Sequence, residues 1–307
     1  MQQRPFKQID VFTATPYLGN PLAVVLSGSG LDDAAMQRFA RWTNLSETSF
    51  VLPPTQSTAD YRLRIFTPGG ELPFAGHPTL GSCHAWLEAG GQPKRKELIV
   101  QECAKGLVNI RRDAGSNRLA FAAPSLMRTA PSPAVLAQVA SALGINTAQV
   151  IAAQLLDNGP VWLGLLLDSP ETVLQLLPNH QELAELGVKV GVAGIYASPS
   201  SPLIARANRE AKAFTQTVSD TTPDLEVRAF AACMGVNEDP VTGSLNASFA
   251  QWLMADGFMP RNYTASQGVC MGRAGLVDLQ RDENAEAEGQ VWVGGQSVTC
   301  MDGVVTL

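Results

Sequence analysis

Several features are scarce in this 307-residue sequence, and the first is charge. Charged residues make up 16% of the chain, and 28 acidic side chains outnumber 22 basic ones, for a formal net charge of −6. The one run of three basic residues is Lys94-Arg95-Lys96, which is typical of a solvated turn. Nucleic acids and anionic membranes bind concentrated positive charge. The sequence therefore predicts no nucleic-acid partner and no membrane partner.

Cysteine and histidine are also sparse, and neither has the spacing of a metal site. No Cys-x-x-Cys pair occurs and the number of cysteines is odd, which argues against a disulfide framework and a structural zinc site. His77 and His84 are seven residues apart, with no third ligand in view. We therefore expect no metal and buried free thiols. The cysteines are Cys83, Cys103, Cys233, Cys270 and Cys300.

Long apolar runs are missing as well. No run approaches the roughly 20 residues that span a bilayer, and the start, MQQRPFKQIDVF, lacks the apolar core of a signal peptide. No Gly-x-Gly-x-x-Gly follows a predicted strand, so no nicotinamide cofactor is expected. We expect a soluble cytoplasmic protein, and 307 residues with 45% hydrophobic content are enough for two cores.

What the sequence does contain is an internal duplication. The segment at 61–90 recurs at 225–257, and each copy begins with a strand that ends in Arg-x-Phe and continues through an acidic loop to an uncharged helix. The loop is three residues longer in the second copy. An offset of 167 aligns Glu71 with Glu238, Pro73 with Pro240, Gly76 with Gly243 and Gly90 with Gly257. We interpret this as two related halves.

Each copy also predicts a helix whose start faces a ligand. Residues 79–87 and 245–254 carry no formal charge, and a helix without a charged face is normally buried. The first turns, Gly76-His77 and Gly243-Ser244, offer free N–H groups and the positive end of the helix dipole. Two such starts related by a pseudo-twofold axis could bind one carboxylate, so we take Gly76, Gly243 and Ser244 as candidate substrate-binding residues.

The first part of the chain predicts a hairpin, at 8–13 and 22–26, and then a helix capped by Asp32 and Asp33. Met36, Phe39 and Trp42 are its apolar positions. Glu47 follows, at the junction between this helix and a strand at 49–52. A junction of this kind holds a side chain on a rigid base, which suits chemistry, although a surface glutamate is the commoner meaning of such a residue.

Proline-rich sequence marks the domain boundary. Pro124, Pro131 and Pro133 predict a stiff connection, so we place the first domain at 1–124 and the second at 125–307. The last strand, near 298–307, is expected to return to the first domain. In the second half we expect a helix at 170–177 and a turn at 198–202.

Several motifs, in this order, resemble those of the phenazine-biosynthesis PhzF-like isomerase family, whose fold is that of diaminopimelate epimerase. They are QIDVFTATPYLGNPLAVV near the start, LSET at 45–48, RIFTPGGELPFAGHPTLG, GVNEDPVTGS, and Gln267-Gly268 followed by Gly272-Arg273. The resemblance covers nearly the whole chain.

The resemblance implies an α+β fold with two similar domains, each a curled, mostly antiparallel β-sheet or barrel around a central helix. It places the active site in the cleft between them, and it implies a homodimer without a cofactor. In that family the glutamate of the Ser-Glu-Thr motif is the catalytic acid/base, which corresponds to Glu47. The histidine, aspartate and serine of the later motifs correspond to His77, Asp239 and Ser244.

The expected reaction is an isomerisation that moves a proton on a small carboxylate-bearing substrate, cyclic or amino-acid-like, with Glu47 as the proton carrier. The namesake family reaction is the isomerisation of a dihydro-hydroxyanthranilate. Two other classes stay open: an amino-acid epimerase or racemase of the same fold, and a binding protein without turnover. Two-thiol epimerases place a cysteine just before each helix-starting glycine, whereas this chain has Ala75 and Thr242 there.

Overall fold

The computed structural model describes residues 2–113, 115–116, 118–196, 222–282 and 289–307. Its helices are α1 Asp33–Thr43, α2 Gly76–Glu88, α3 Pro133–Leu143, α4 Pro170–Gln175, α5 His180–Glu185 and α6 Gly243–Ala255. The first nine strands are β1 Gln3–Val11, β2 Asn20–Val25, β3 Thr48–Leu52, β4 Tyr61–Phe66, β5 Glu71–Leu72, β6 Leu98–Cys103, β7 Gly106–Arg112, β8 Leu119–Ala122 and β9 Met127–Thr129. The others are β10 Val150–Asp157, β11 Val161–Leu167, β12 Val190–Ile195, β13 Leu225–Ala231, β14 Val236–Asp239, β15 Asn262–Gln267, β16 Gly275–Arg281, β17 Val291–Gly295 and β18 Ser297–Thr306.

The strand pairings of the first half recur in the second. β1 pairs antiparallel with β2, β2 parallel with β3, and β3 antiparallel with β4, as β10 to β13 do in their turn. β4 then pairs parallel with β6, and β13 parallel with β15. The connection between the strands of each of these parallel pairs contains one central helix, α2 in the first half and α6 in the second. The duplication read from the sequence is therefore a duplication of topology.

Two pairings join the halves. β8 pairs antiparallel with β17 of the second half. β18, at the end of the second half, pairs with β1 along its whole length, so the last strand returns to the first half. β9 follows residue 124 and pairs with β10 within the second half. The division at residue 124 stays a prediction.

Both central helices are buried, as their uncharged sequences predict. In α2 the residues from Gly76 to Cys83 are buried, and in α6 Phe249, Trp252 and Leu253 are fully enclosed. Their side chains belong to one hydrophobic core that continues through both halves. Gly81 lets α2 lie close to the sheet, because a Cβ there would stand 2.7 Å from side-chain atoms of Leu22 and Val11.

Some local expectations need correction. Met36 and Phe39 of α1 are buried, but Trp42 is 80% exposed and stacks on Phe39. Successive steps of three residues rotate away from the buried face of a 3.6-residue helix, which explains the difference. The helix expected at 170–177 ends at Gln175, and a second short helix, α5, follows. The turn expected at 198–202 lies outside the described residues.

The expectation of buried cysteines holds for two of the five. Cys83 and Cys103 are buried, Cys233 and Cys300 are half-buried, and Cys270 is exposed. Cys233 and Cys270 lie in short 3-10 turns that follow strands β13 and β15, and not in the strands. All five are free thiols. Across the part of the chain that the structure describes, no helix is long and apolar enough to cross a membrane.

The duplicated Arg-x-Phe strands end in equivalent ion pairs. Arg64 forms two hydrogen bonds with Glu71, at 2.7 and 2.6 Å, and Arg228 forms two with Glu238, both at 2.9 Å. In both repeats the pair ties the central strand to the short strand that precedes the buried helix. The second pair is the more enclosed, because Arg228 also donates to the carbonyls of Val173 and Leu176.

This difference in burial predicts a difference in stability. We expect Arg228→Met to lower the free energy of unfolding by about 3 kcal/mol or more, because Glu238 is 11% exposed and would be left as a buried, unpaired charge. The matched change Arg64→Met should cost about 1 kcal/mol or less, because its partners Glu71 and Asp33 are 36% and 84% exposed and stay solvated. Urea unfolding at pH 7 measures both, and a larger loss for Arg64→Met would contradict the prediction.

Candidate active site

Glu47 lies in the turn that joins α1 to β3. The helix ends at Thr43, Asn44 is in the left-handed conformation with φ of 53°, and β3 begins at Thr48. Because β3 is hydrogen-bonded to β2 on one side and β4 on the other, the backbone after Glu47 is fixed. The predicted junction is present. The Glu47 side chain is 17% exposed, so it is not the surface glutamate that the sequence also allowed.

The N-termini of the two central helices meet. α2 begins at Gly76 and α6 at Gly243, and a Cβ added to Gly243 would lie 3.2 Å from Cα of Gly76 and 3.3 Å from the nitrogen of His77. The preceding residues, Ala75 and Thr242, are extended, and neither side chain caps its helix. First-turn N–H groups without such a cap require another acceptor. Two positive helix ends therefore lie side by side.

The three predicted catalytic side chains come together at this junction. Glu47 Oε2 lies 3.5 Å from His77 Nε2, and both atoms are buried without a hydrogen bond. Asp239 is close enough for its charge to act on His77 and for the charge of Glu47 to act on it. Glu47 and His77 belong to the first repeat and Asp239 to the second, so the site straddles the two.

Burial sets the protonation states of these groups. Loss of solvation raises the pKa of Glu47 to about 7, against a hydrogen bond to Ser46 that lowers it. Burial, and then the charge of Glu47, raise the pKa of Asp239 to about 6. Burial lowers the pKa of His77 to about 4, although attraction to Asp239 opposes the shift. At neutral pH the imidazole is uncharged, and the Glu47 carboxyl group can both take and give a proton.

A hydrogen-bond network holds Asp239, and the sequence did not reveal its other members. Asn20 donates from Nδ2 to Asp239 Oδ1 at 3.1 Å, and Thr242 donates from Oγ1 to Oδ2 at 2.5 Å. Gln267 donates to the Asp239 carbonyl and accepts from the Thr242 amide, both at 3.0 Å. Asn20 lies in the Gly-Asn-Pro stretch that reads as an ordinary turn, yet it reaches across to the second repeat. Because Asn20 and Asp239 are 219 positions apart in the sequence, no local pattern around Asn20 indicated this contact.

Ser244 lies at the same junction, one residue after Gly243. Its hydroxyl oxygen accepts a hydrogen bond from Trp162 Nε1 at 3.2 Å, and its carbonyl accepts one from Asn158 Nδ2 at 2.9 Å. The side chain is half-buried, whereas its neighbours Gly243 and Leu245 are buried. The structure thus places all six predicted site residues around one seam: Glu47, Gly76, His77, Asp239, Gly243 and Ser244.

Metal ligation has no support in this arrangement. Within the ranges that the structure describes, no group of three or more His, Cys, Asp or Glu side chains could hold a metal ion. His84 lies in α2 seven residues after His77, and its Nε2 atom is 3.3 Å from Thr299 Oγ1 and 3.3 Å from Glu88 Oε1. These contacts are at the far end of the helix from His77.

The raised pKa of Glu47 predicts a pH-dependent cost in stability. A carboxyl group whose pKa is higher in the folded state than its usual 4.5 contributes stability below pH 4.5, which is lost as pH rises through 7. We therefore expect Glu47→Gln to be more stable than the wild type at pH 8, by up to about 3 kcal/mol, and nearly equal to it at pH 4.5.

Urea unfolding of both proteins at the two pH values tests this, with the same change at exposed Glu97 as the control. The difference between wild type and variant removes the contribution of His77, which both proteins retain. Loss of the Glu47 charge also lowers the pKa of Asp239, which adds to the expected gain in stability at pH 8. An equal difference at pH 4.5 and pH 8 would show that Glu47 is not held in a desolvated site.

Comparison with known proteins identifies the family. Residues 9–303 match the family described as PhzC-PhzF, phenazine biosynthesis-like protein. The chain is 36% identical to antisense-enhancing sequence 1 of Schizosaccharomyces pombe, over 99% of both chains. It is 31% identical to trans-2,3-dihydro-3-hydroxyanthranilate isomerase of Pseudomonas fluorescens, over 97% of this chain and 98% of that protein.

The fold comparison agrees. A PhzF-family protein of Bacillus anthracis superposes with a TM-score of 0.81 over 100% of both chains at 22% identity. The predicted α+β, epimerase-like fold class is confirmed. On these grounds the chain belongs to the PhzC-PhzF family, and it is an isomerase.

Proposed function

We propose that this isomerase moves a proton on a small carboxylate-bearing substrate, cyclic or amino-acid-like, with Glu47 as the general acid and base. The observation that carries the proposal is the position of Glu47 Oε2, buried, without a hydrogen bond and 3.5 Å from His77 Nε2. A buried oxygen without a hydrogen-bond partner destabilises the folded protein by about 1–3 kcal/mol, so its presence in a native structure calls for an explanation. A proton-carrying role supplies that reason.

The substrate carboxylate fits the seam between the two helix starts. The amides at Gly76-His77 and Gly243-Ser244 have no side-chain cap, and each helix end favours an anion by roughly 0.3–2 kcal/mol. An anion in contact with both ends gains from both dipoles. This geometry supports a substrate with one carboxylate beside the carbon atom that reacts.

The proton then moves through Glu47. In the carboxylate form Glu47 takes a proton from a carbon atom of the substrate, and the electrons of the broken C–H bond move into the adjacent π system. The protonated Glu47 returns the proton to another carbon, so the enzyme ends unchanged. A group whose pKa lies near 7 serves both steps, and positioned acid/base catalysis contributes about 10²–10⁴-fold.

Asp239 and His77 are suited to supporting roles. Asp239 is held by Asn20 and Thr242, which leaves it as a fixed acceptor for an amino or hydroxyl group of the substrate. Neutral His77 can polarise a substrate atom without adding a charge next to Glu47. The reaction we propose is of the kind named in the Pseudomonas fluorescens relative, an isomerisation of trans-2,3-dihydro-3-hydroxyanthranilate.

Epimerisation by two opposed thiols has no counterpart here. Ala75 and Thr242 occupy the positions just before the helix-starting glycines, and neither side chain exchanges a proton at neutral pH. A homodimer without a cofactor, with a small anion as its ligand, remains part of the proposal. Sedimentation of the purified protein and an assay in the presence of chelator would examine these points.

The central test is Glu47→Gln. The amide keeps the shape of the side chain and removes the proton carrier, so kcat on trans-2,3-dihydro-3-hydroxyanthranilate should fall by about 10²–10⁴-fold. Binding of 3-hydroxyanthranilate, the aromatic relative of this compound, should be retained in calorimetry. Glu97→Gln is the matched surface control. A Glu47→Gln enzyme that kept wild-type turnover would exclude Glu47 as the acid/base.

A second test adds charge at the helix starts. We expect Ser244→Asp to weaken binding of 3-hydroxyanthranilate by more than tenfold, because two like charges about 4 Å apart repel by roughly 4 kcal/mol near a protein surface. The control is Ser132→Asp, since Ser132 caps α3 by accepting from Val135 and an aspartate caps a helix equally well. Unchanged affinity of Ser244→Asp would place the carboxylate elsewhere.

A further inference from the structure

The hydrogen bond between Trp162 and Ser244 is not explained by packing alone. Trp162 lies on β11, is 4% exposed and directs its indole Nε1 to Ser244 Oγ at 3.2 Å. Asn158, in the turn before β11, holds the Ser244 carbonyl at 2.9 Å. Two residues of one hairpin are thus bonded to the residue that follows Gly243 in the first turn of α6.

This bond determines which way the serine proton points. An indole N–H is a donor and has no acceptor atom, so Ser244 Oγ must be the acceptor. One lone pair of the hydroxyl oxygen is then occupied, and the hydroxyl proton has to point away from Trp162. A serine fixed in this way presents a hydrogen-bond donor, which is what an anion at the helix start requires.

The duplication shows that Trp162 is specific to the second repeat. Ala23 pairs with Thr48 in the first repeat where Leu163 pairs with Val190 in the second, so the residue equivalent to Trp162 is Leu22. Leu22 is fully buried and has no polar side-chain atom. The residue equivalent to Ser244 is His77, which makes no hydrogen bond through Nε2. The indole donor therefore occurs in the repeat that has a serine to orient.

A lysine packs on the same ring. The ammonium group of Lys189 lies 5.2 Å from the centroid of the Trp162 ring. A cation over the ring face is attracted to its π electrons and draws electron density from the indole, so it also strengthens the N–H as a donor. Lys189 thus both fixes the ring and favours the hydrogen bond to Ser244.

We propose that Trp162 is a positioning residue that fixes the Ser244 hydroxyl as a donor to the carboxylate of the substrate. The inference rests on the proposed binding of a carboxylate at the two helix starts. Trp162 itself does not need to touch the substrate. It acts by making unfavourable those orientations of the Ser244 hydroxyl in which the proton points toward Trp162.

The first experiment is a double-mutant cycle on ligand binding. The Kd of 3-hydroxyanthranilate is measured by calorimetry for the wild type, Trp162→Phe, Ser244→Ala and the double variant. One hydrogen bond is worth about 1 kcal/mol, so each single change should weaken binding about fivefold, and the double variant no more than either single one. The control is Trp292→Phe, because Trp292 donates to Asp282 Oδ2, a group outside the site.

The outcomes separate clearly. Losses that multiply, to about 25-fold in the double variant, would show that Trp162 and Ser244 act independently and would overturn the inference. Wild-type affinity in Trp162→Phe would overturn it as well. Either result would leave the proposed function intact as long as the wild type binds the probe.

A second experiment does not depend on the identity of the substrate. The indole N–H signal of Trp162, assigned by its loss in Trp162→Phe, is followed in ¹⁵N-tryptophan-labelled protein as acetate is added. We expect this signal to move in the wild type and to stay in place in Ser244→Ala. A signal that does not respond in the wild type would overturn the inference. A response to acetate without binding of 3-hydroxyanthranilate would support it and would count against the proposed substrate class.

Discussion

The contact between Gly76 and Gly243 is the constraint on which the rest of the structure depends. The two helix N-termini can approach to this distance because neither first residue has a Cβ; at Gly76 a Cβ would also stand 2.7 Å from Phe121 Cζ. Since neither helix has a charged face, each must be enclosed by the strands of its own repeat. The contact therefore requires a curled sheet around each helix, and the β8–β17 and β1–β18 pairs join the two into one continuous sheet.

The two buried carboxyl groups near the helix starts, Asp239 and Glu47, differ in their hydrogen bonding. Both Asp239 oxygens have donors, and Asn20, Thr242 and Gln267 fix its position. Glu47 Oε2 has none. A carboxyl group that is fully bonded is held in place, whereas one with an unsatisfied oxygen can exchange a proton with a ligand. Two carboxyl groups with raised pKa values are thus suited to different tasks, and hydrogen bonding makes the difference.

The sequence predicted the features that are local or repeated. Glycine, proline and absence of charge placed both central helices and their starts, and the Arg-x-Phe and acidic positions aligned the repeats. Features that depend on distant contacts were not accessible. Asn20 reads as a turn residue because its partner is 219 positions away, and Trp162 reads as an ordinary strand residue until α6 packs against it. Exposure of Cys270 and Trp42 was mispredicted because composition does not specify which face of an element is covered.

The register of the repeats also bears on the mechanism. Thr48 pairs with Phe66 where Val190 pairs with Phe230, so the residue equivalent to Glu47 is Lys189. A two-base enzyme that used this pair of positions would need a proton acceptor at both. Here the second position holds a lysine whose ammonium group packs on Trp162. In the proposed mechanism the proton acceptor comes from one repeat and the fixed hydroxyl from the other, and this asymmetry supports a single group that removes and returns the proton on the same face of the substrate.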